Sequence, residues 1–222
     1  MKVVMLLVTL SLVPAAAAIF RLITLASGHA TPETARFFDS PWPIVLHILA
    51  VVPYSLLGAL QFAPSLRKNR WHRITGRLLT PLAMIAALTG LWMAHFYPWP
   101  PLDGQVVYIS RLLAGSGMAV SVVLGIAAIV RRDYAAHGDW MTRGYALGMG
   151  AATQVLTHLP WTLTVGMPGE TGRAIAMASG WLINIVVAEY AIRRSRSRVT
   201  SRRSSAPRLS SSGSRETQSL AQ

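Results

Sequence analysis

Cysteine is missing from all 222 residues, which excludes disulfides, iron–sulfur clusters and thiolate metal sites. Charge is scarce too. Only 13% of residues are charged, against about 25% in soluble domains. The shortage falls mostly on acids, with eight Asp and Glu against 21 Lys and Arg. The usual hydrolase and nucleotide signatures are absent: there is no H-E-x-x-H, no G-x-S-x-G and no P-loop Gly-Lys-Ser/Thr. No residue is therefore assigned a catalytic role. The formal charge of +13 does not point to nucleic acid, because no aromatic stacking motif accompanies the basic residues.

What the chain has instead is apolar length. Six apolar runs separated by short polar loops are expected as membrane spans over residues 3–26, 44–63, 74–97, 106–130, 141–165 and 173–192. A run of about 20 apolar residues matches the hydrocarbon thickness, and a helix satisfies its own backbone there. The fold class expected is all-α, a polytopic bundle of six transmembrane helices in a bacterial inner membrane. Lys2, the run Val3 to Val13 and the small residues Pro14 to Ala18 imitate a signal peptide. The run nevertheless continues through Ile19, Phe20, Leu22, Ile23 and Leu25, interrupted only by Arg21, which suits an uncleaved anchor. Residues 193–222 form a Ser/Arg-rich tail that cannot bury enough apolar surface to offset its ordering entropy. It is expected to be disordered and drawn to anionic lipid headgroups.

Orientation follows from where the cations fall, since cytoplasmic loops carry the Lys/Arg excess. Arg67, Lys68, Arg70, Arg73 and Arg77 surround the loop between spans two and three. Arg131, Arg132 and Arg143 surround that between spans four and five, and eight more arginines follow Glu189. The opposite loops mix Arg36 and Arg173 with Glu33, Asp39, Asp103 and Glu170. Both termini are thus expected in the cytoplasm.

This orientation sorts the histidines into two layers. His72 and His137 lie at the cytoplasmic entrances of spans three and five, each among Arg and Trp; His47, His95 and His158 lie near the outer ends, as does Arg111. The interval from His72 to His95 is roughly 35 Å of helix, so the layers are on opposite sides. Similar spacings in the hairpin of spans two and three and that of spans four and five suggest a weak internal repeat, which would place a shared site between them.

Leu46-His47, Leu57-Gly58-Ala59-Leu60-Gln61-Phe62, Trp71-His72-Arg73 with Gly76-Arg77, Gly90-Leu91-Trp92-Met93, Arg111-Leu112-Leu113, and His137 followed by Trp140-Met141 and Arg143 together resemble the prokaryotic membrane family DUF2306. The resemblance covers about residues 40 to 165. It implies a membrane topology and no particular activity.

Three functional readings follow from the polar residues. Histidines on facing membrane helices are what bis-imidazole ligation of b-type haem requires. On this redox reading, with haem or a quinone as partner, the inner pair is His72 and His137 and the outer pair is His47 with His158 or His95. The layering is similar in outline to the cytochrome b561 architecture, but span four has no histidine. Alternatively, Arg111, Gln154 and the outer histidines line a cavity for a small anionic or quinone-like molecule in a binding or transport protein, with Arg73 and Arg143 as further polar contacts. The plainest reading makes Arg111 a side chain snorkelling to the headgroups, and His72 and His137 interfacial anchors. Gln154 and His158 share a helix face, and Asn184 and Glu189 add polar groups to span six, so an interior polar cluster is expected. Asp139 is a candidate to orient His137. No metal site is assigned, because no carboxylate is suitably spaced from His47, His95 and His158.

Overall fold

The computed structural model describes residues 2–66, 69–164, 166 and 169–204, with side chains as far as 198. Arg67, Lys68 and positions 205–222 of the expected tail lie outside the described residues. Among the described residues the chain is a run of helices: α1 (Lys2–Ser27), α2 (Ala35–Asp39), α3 (Pro41–Leu60), α4 (Arg70–Phe96), α5 (Gln105–Val130), α6 (Tyr134–Gly148), α7 (Gly150–Thr164) and α8 (Glu170–Ser204).

The termini of these helices have local causes. Gly28, at φ +73° beyond the last turn of α1, takes a left-handed conformation that side chains disfavour. At the end of α5, Asp133 N–H reaches back to Ala128 O at 2.9 Å and Arg132 N–H to Ile129 O at 3.0 Å. This is the double bond of a Schellman turn, made with Arg132 at φ 59° where glycine is usual. Asp133 then caps α6, accepting from Ala136 N–H at 2.9 Å.

α1, α3, α4, α5 and α8 are each long and apolar enough to cross a membrane. The run expected as one span over 141–165 is two helices of 15 residues each, α6 and α7, parted at Met149. The break is packed rather than loose. Gly148 and Gly150 flank it, and a Cβ on Gly148 would stand 2.8 Å from the Tyr54 ring, while one on Gly150 would collide with the Trp181 indole. Backbone groups at the break need partners away from water. Asn184 Nδ2 donates to Ala146 O at 2.9 Å and Trp181 Nε1 to Leu147 O at 3.2 Å. Ser11, fully buried on α1, places its Oγ 3.5 Å from Met149 Sδ.

α3 packs on α4, α4 on α5 and α5 on α6; α1 leans on α3 and α7, and α8 closes the bundle against α6, α7 and α5. The centre is built from small residues, Ala50, Ala59, Ala83, Ala86, Ala87 and Ala152, around Tyr54, Met118, Val122, Tyr145 and Met149. Small side chains let membrane helices approach closely where lipid removes the hydrophobic drive between them. The exterior is apolar, with Phe20, Leu113, Val130 and Leu182 more than 60% exposed, a surface that soluble proteins avoid. α8 also runs past its expected end at residue 192 to Ser204. The first part of the basic tail is therefore helical. Ser197 Oγ donates to Arg193 O at 3.0 Å, and Arg196 Nε donates to Asp139 on α6 at 2.8 Å.

Candidate functional site

At one end of the bundle meet the end of α1, α2, the α4–α5 loop and the starts of α5 and α8. Asp103, in that loop, anchors this end with a side chain only 2% exposed. Arg111 Nη1 from α5 reaches its Oδ2 at 2.6 Å, and Arg173 Nε from α8 donates to its Oδ1 at 2.5 Å. Two cations share one buried carboxylate, so the cluster keeps a positive excess. Arg111 is thus an ion-pair partner of Asp103 rather than a snorkelling side chain, because the loop folds back over the bundle end and delivers the acid to it. Both Asp103 and Arg173 look like ordinary loop charges in sequence. The one signal available was that acids are so few that a loop acid is noteworthy.

Arg36 on α2 adjoins this cluster. Its Nη1 donates to Pro98 O at 3.1 Å, and burial lowers its pKa below the ordinary guanidinium value, with Arg111 pushing the same way and Asp103 opposing. Phe37 packs edge-on against Tyr97.

Next to Arg173, α7 and α8 leave a shallow open groove of about 330 Å³ between Ala151, Gln154, Val155, His158, Arg173 and Met177. Its surface is mostly apolar, although Gln154, His158 and Arg173 contribute to the lining. Within it, His158 Nδ1 lies 2.7 Å from Gln154 O. A carbonyl only accepts, so Nδ1 carries the proton, and in the neutral ring Nε2 is an acceptor. That Nε2 is buried and makes no hydrogen bond. Gln154 is occupied elsewhere: it is buried, and its Nε2 donates to Met177 O at 3.1 Å, tying α7 to α8. Thr157 adds a second tie, its hydroxyl donating to Ala176 O at 2.6 Å.

The other outer histidines are dispersed. His47 Nδ1 lies 3.1 Å from Thr89 Oγ1, whose own proton goes to Ile85 O at 2.6 Å, so the imidazole is the donor. His95 is exposed and meets the Tyr108 hydroxyl at 2.9 Å. His158 is the one histidine in the groove wall.

At the opposite end, His72 is half-buried in the first turn of α4 and Arg73 is exposed. His137 Nδ1 donates to Gly125 O across the α5–α6 hairpin at 2.9 Å. Asp139 does not orient it, because that carboxylate is held by Arg196. Arg143 is bidentate to Glu189 on α8, Nε to Oε1 at 2.5 Å and Nη2 to Oε2 at 3.1 Å, and lies 4.6 Å over the Trp140 ring. These bonds use Arg143 as a clasp between α6 and α8 rather than as a free binding group. Asn184 likewise serves the helix break, also accepting from Thr153 Oγ1 at 2.6 Å. Gln154, Asn184 and Glu189 thus serve separate contacts, with Met177 O, Ala146 O and Arg143, each joining one helix to another. Among the described residues no group of three or more His, Asp or Glu is arranged to hold a metal ion.

A helical bundle with long apolar helices and a lipid-like exterior defines a multi-pass integral membrane protein. The chain belongs to the family described as predicted membrane protein (DUF2306), whose profile matches residues 44–192. No curated protein and no solved structure matches it.

Proposed function

We propose that this protein binds a small amphipathic, quinone-like molecule between α7 and α8. The observation that carries this reading is the open groove of about 330 Å³, in which apolar Ala151, Val155 and Met177 adjoin His158 and Arg173. A groove of this size, open on one side to the apolar surroundings, suits one ring with a polar head whose chain stays in lipid. Arg173 offers donors to a carbonyl, and the acceptor nitrogen of His158 suits a hydroxyl. Crossing six times, with α6 and α7 together as the fifth passage and both termini in the cytoplasm of a bacterial cell, would place the groove near the outer surface. Arg73 and the basic end of α8 would then face anionic headgroups of the inner leaflet.

Titration of the purified protein with a short-chain benzoquinone, followed by tryptophan quenching, tests the reading. Saturable binding is expected, weakened several-fold by His158→Ala and abolished by Met177→Trp, which fills the groove and leaves the charges. Equal affinity in all three proteins would sink the idea.

A second reading, b-type haem, is favoured by one observation. Three histidines direct the Nδ1 proton to a fixed acceptor, His47 to Thr89, His137 to Gly125 O and His158 to Gln154 O. This leaves Nε2 as the ligating nitrogen, the tautomer that iron ligation uses. The visible spectrum of protein expressed with ample haem decides it. A stoichiometric Soret band lost in the His72→Ala/His137→Ala double variant would support the inner pair; colourless folded protein would leave the groove reading alone.

A further inference from the structure

Arg21, the one charge interrupting the first apolar run, ends beside Phe37 with its guanidinium carbon 4.8 Å from the ring centroid. Arg36 reaches the same ring at 4.7 Å. One aromatic side chain thus gathers guanidiniums from α1 and α2, and cation–π attraction holds them there. Among the described residues neither is ion-paired with a carboxylate. Arg36 keeps a buried Nε that has no acceptor, and Arg111 lies near enough to repel it.

Counting the whole end of the bundle, the cations are Arg21, Arg36, Arg111 and Arg173. The acids are Asp103, already shared by two arginines, and three exposed ones: Glu170, whose carboxyl packs against Gly104, and Glu33 and Asp39, which flank Arg36 in the chain. Formal charge is balanced, but among the groups that are not exposed four guanidiniums face the single carboxylate of Asp103, and half-burial weakens screening there. Such a set of unsatisfied guanidinium donors is what a tetrahedral oxyanion accepts from.

We infer that Arg21 and Arg36, over Phe37 and backed by Arg111, bind a phosphate-type anion, presented by a lipid headgroup or by free phosphate. The site is separate from the α7–α8 groove and does not rest on what that groove holds. Arg36 contributes its Nε and remaining Nη donors, Arg21 its whole guanidinium, and Phe37 keeps both near one point. The anion would relieve the repulsion between Arg36 and Arg111 that Asp103 only partly offsets.

The test uses the purified full chain in uncharged detergent, with two probes: inorganic phosphate by calorimetry, and phosphatidylglycerol against phosphatidylcholine by native mass spectrometry. Binding of free phosphate, weakened at least about tenfold by Arg36→Gln, identifies a soluble anion as ligand. Retention of phosphatidylglycerol over phosphatidylcholine without phosphate binding, lost in Arg36→Gln, identifies the headgroup. Arg131→Gln at the other end of the bundle is the control and should change neither. Should Arg36→Gln fail to fold, Arg21→Gln carries the same comparison. The inference is overturned if neither probe binds, or if Arg131→Gln loses as much as the cluster variants.

Discussion

Asn184 Nδ2 on α8 donates to the carbonyl of Ala146 at 2.9 Å, beside the point where α6 gives way to α7. A helix broken inside lipid leaves backbone groups that water cannot reach, and here a neighbouring helix supplies the missing donor. Asn184→Leu should therefore lower stability by about 1 kcal/mol, within the measured range for polar contacts in membrane bundles. A lower melting temperature in detergent, with the helical circular dichroism retained below the transition, is the expected result. An unchanged transition would mean that the carbonyl finds another partner.

Asp103 tests the ion cluster differently, because removing it leaves two partly buried cations facing each other. Asp103→Asn should cost about 2–3 kcal/mol, below the roughly 3–5 kcal/mol of fully buried pairs, since Arg111 and Arg173 keep 28% and 26% exposure. Adding Arg173→Gln should recover part of the loss by removing one uncompensated charge. If the double variant is less stable than the single one, the arginines are held by packing rather than by the carboxylate.

Two glycine substitutions separate rigid from yielding contacts. A Cβ on Gly150 would collide with the Trp181 indole, whose nitrogen is bonded to Leu147 O. A Cβ on Gly125 would meet only the tip of Met141, a flexible side chain that can turn aside. Gly150→Ala is expected to destabilise by about 1–3 kcal/mol and Gly125→Ala by less than about 1 kcal/mol. Parallel thermal unfolding of the two proteins reads the difference, and the reverse order would refute this account of the break.

The absence of cysteine makes topology directly measurable. Ser65→Cys, between α3 and α4, and Leu102→Cys, between α4 and α5, place single thiols at opposite ends of the bundle. In intact cells a membrane-impermeant maleimide should label Leu102→Cys and spare Ser65→Cys. The opposite pattern would invert the proposed orientation, and labelling of both would exclude a crossing by α4.

The helices were largely legible because bilayer thickness and backbone satisfaction leave few choices for a long apolar run. The ends of α1 and α5 lie within a residue of where hydropathy puts them. The break at Met149 was not legible, since Gly148 and Gly150 read equally well as packing positions in a continuous helix. Candidate residues fared unevenly for a related reason. Histidines and arginines announce themselves by type, but Arg143, Gln154 and Asn184 turned out to be committed to Glu189, Met177 O and Ala146 O. Those partners lie on another helix.

Hydropathy and the placement of Lys and Arg by themselves determined that this is a multi-pass helical membrane protein, and supplied the basis for its proposed orientation, because lipid imposes rules that act residue by residue. Only the tertiary structure decided that Asp103 would be shared by Arg111 and Arg173, that Phe37 would gather Arg21 and Arg36, and that an open groove would lie beside His158. Each of these joins elements distant in the chain, and their meeting depends on how helices cross and loops fold back, which no local pattern encodes.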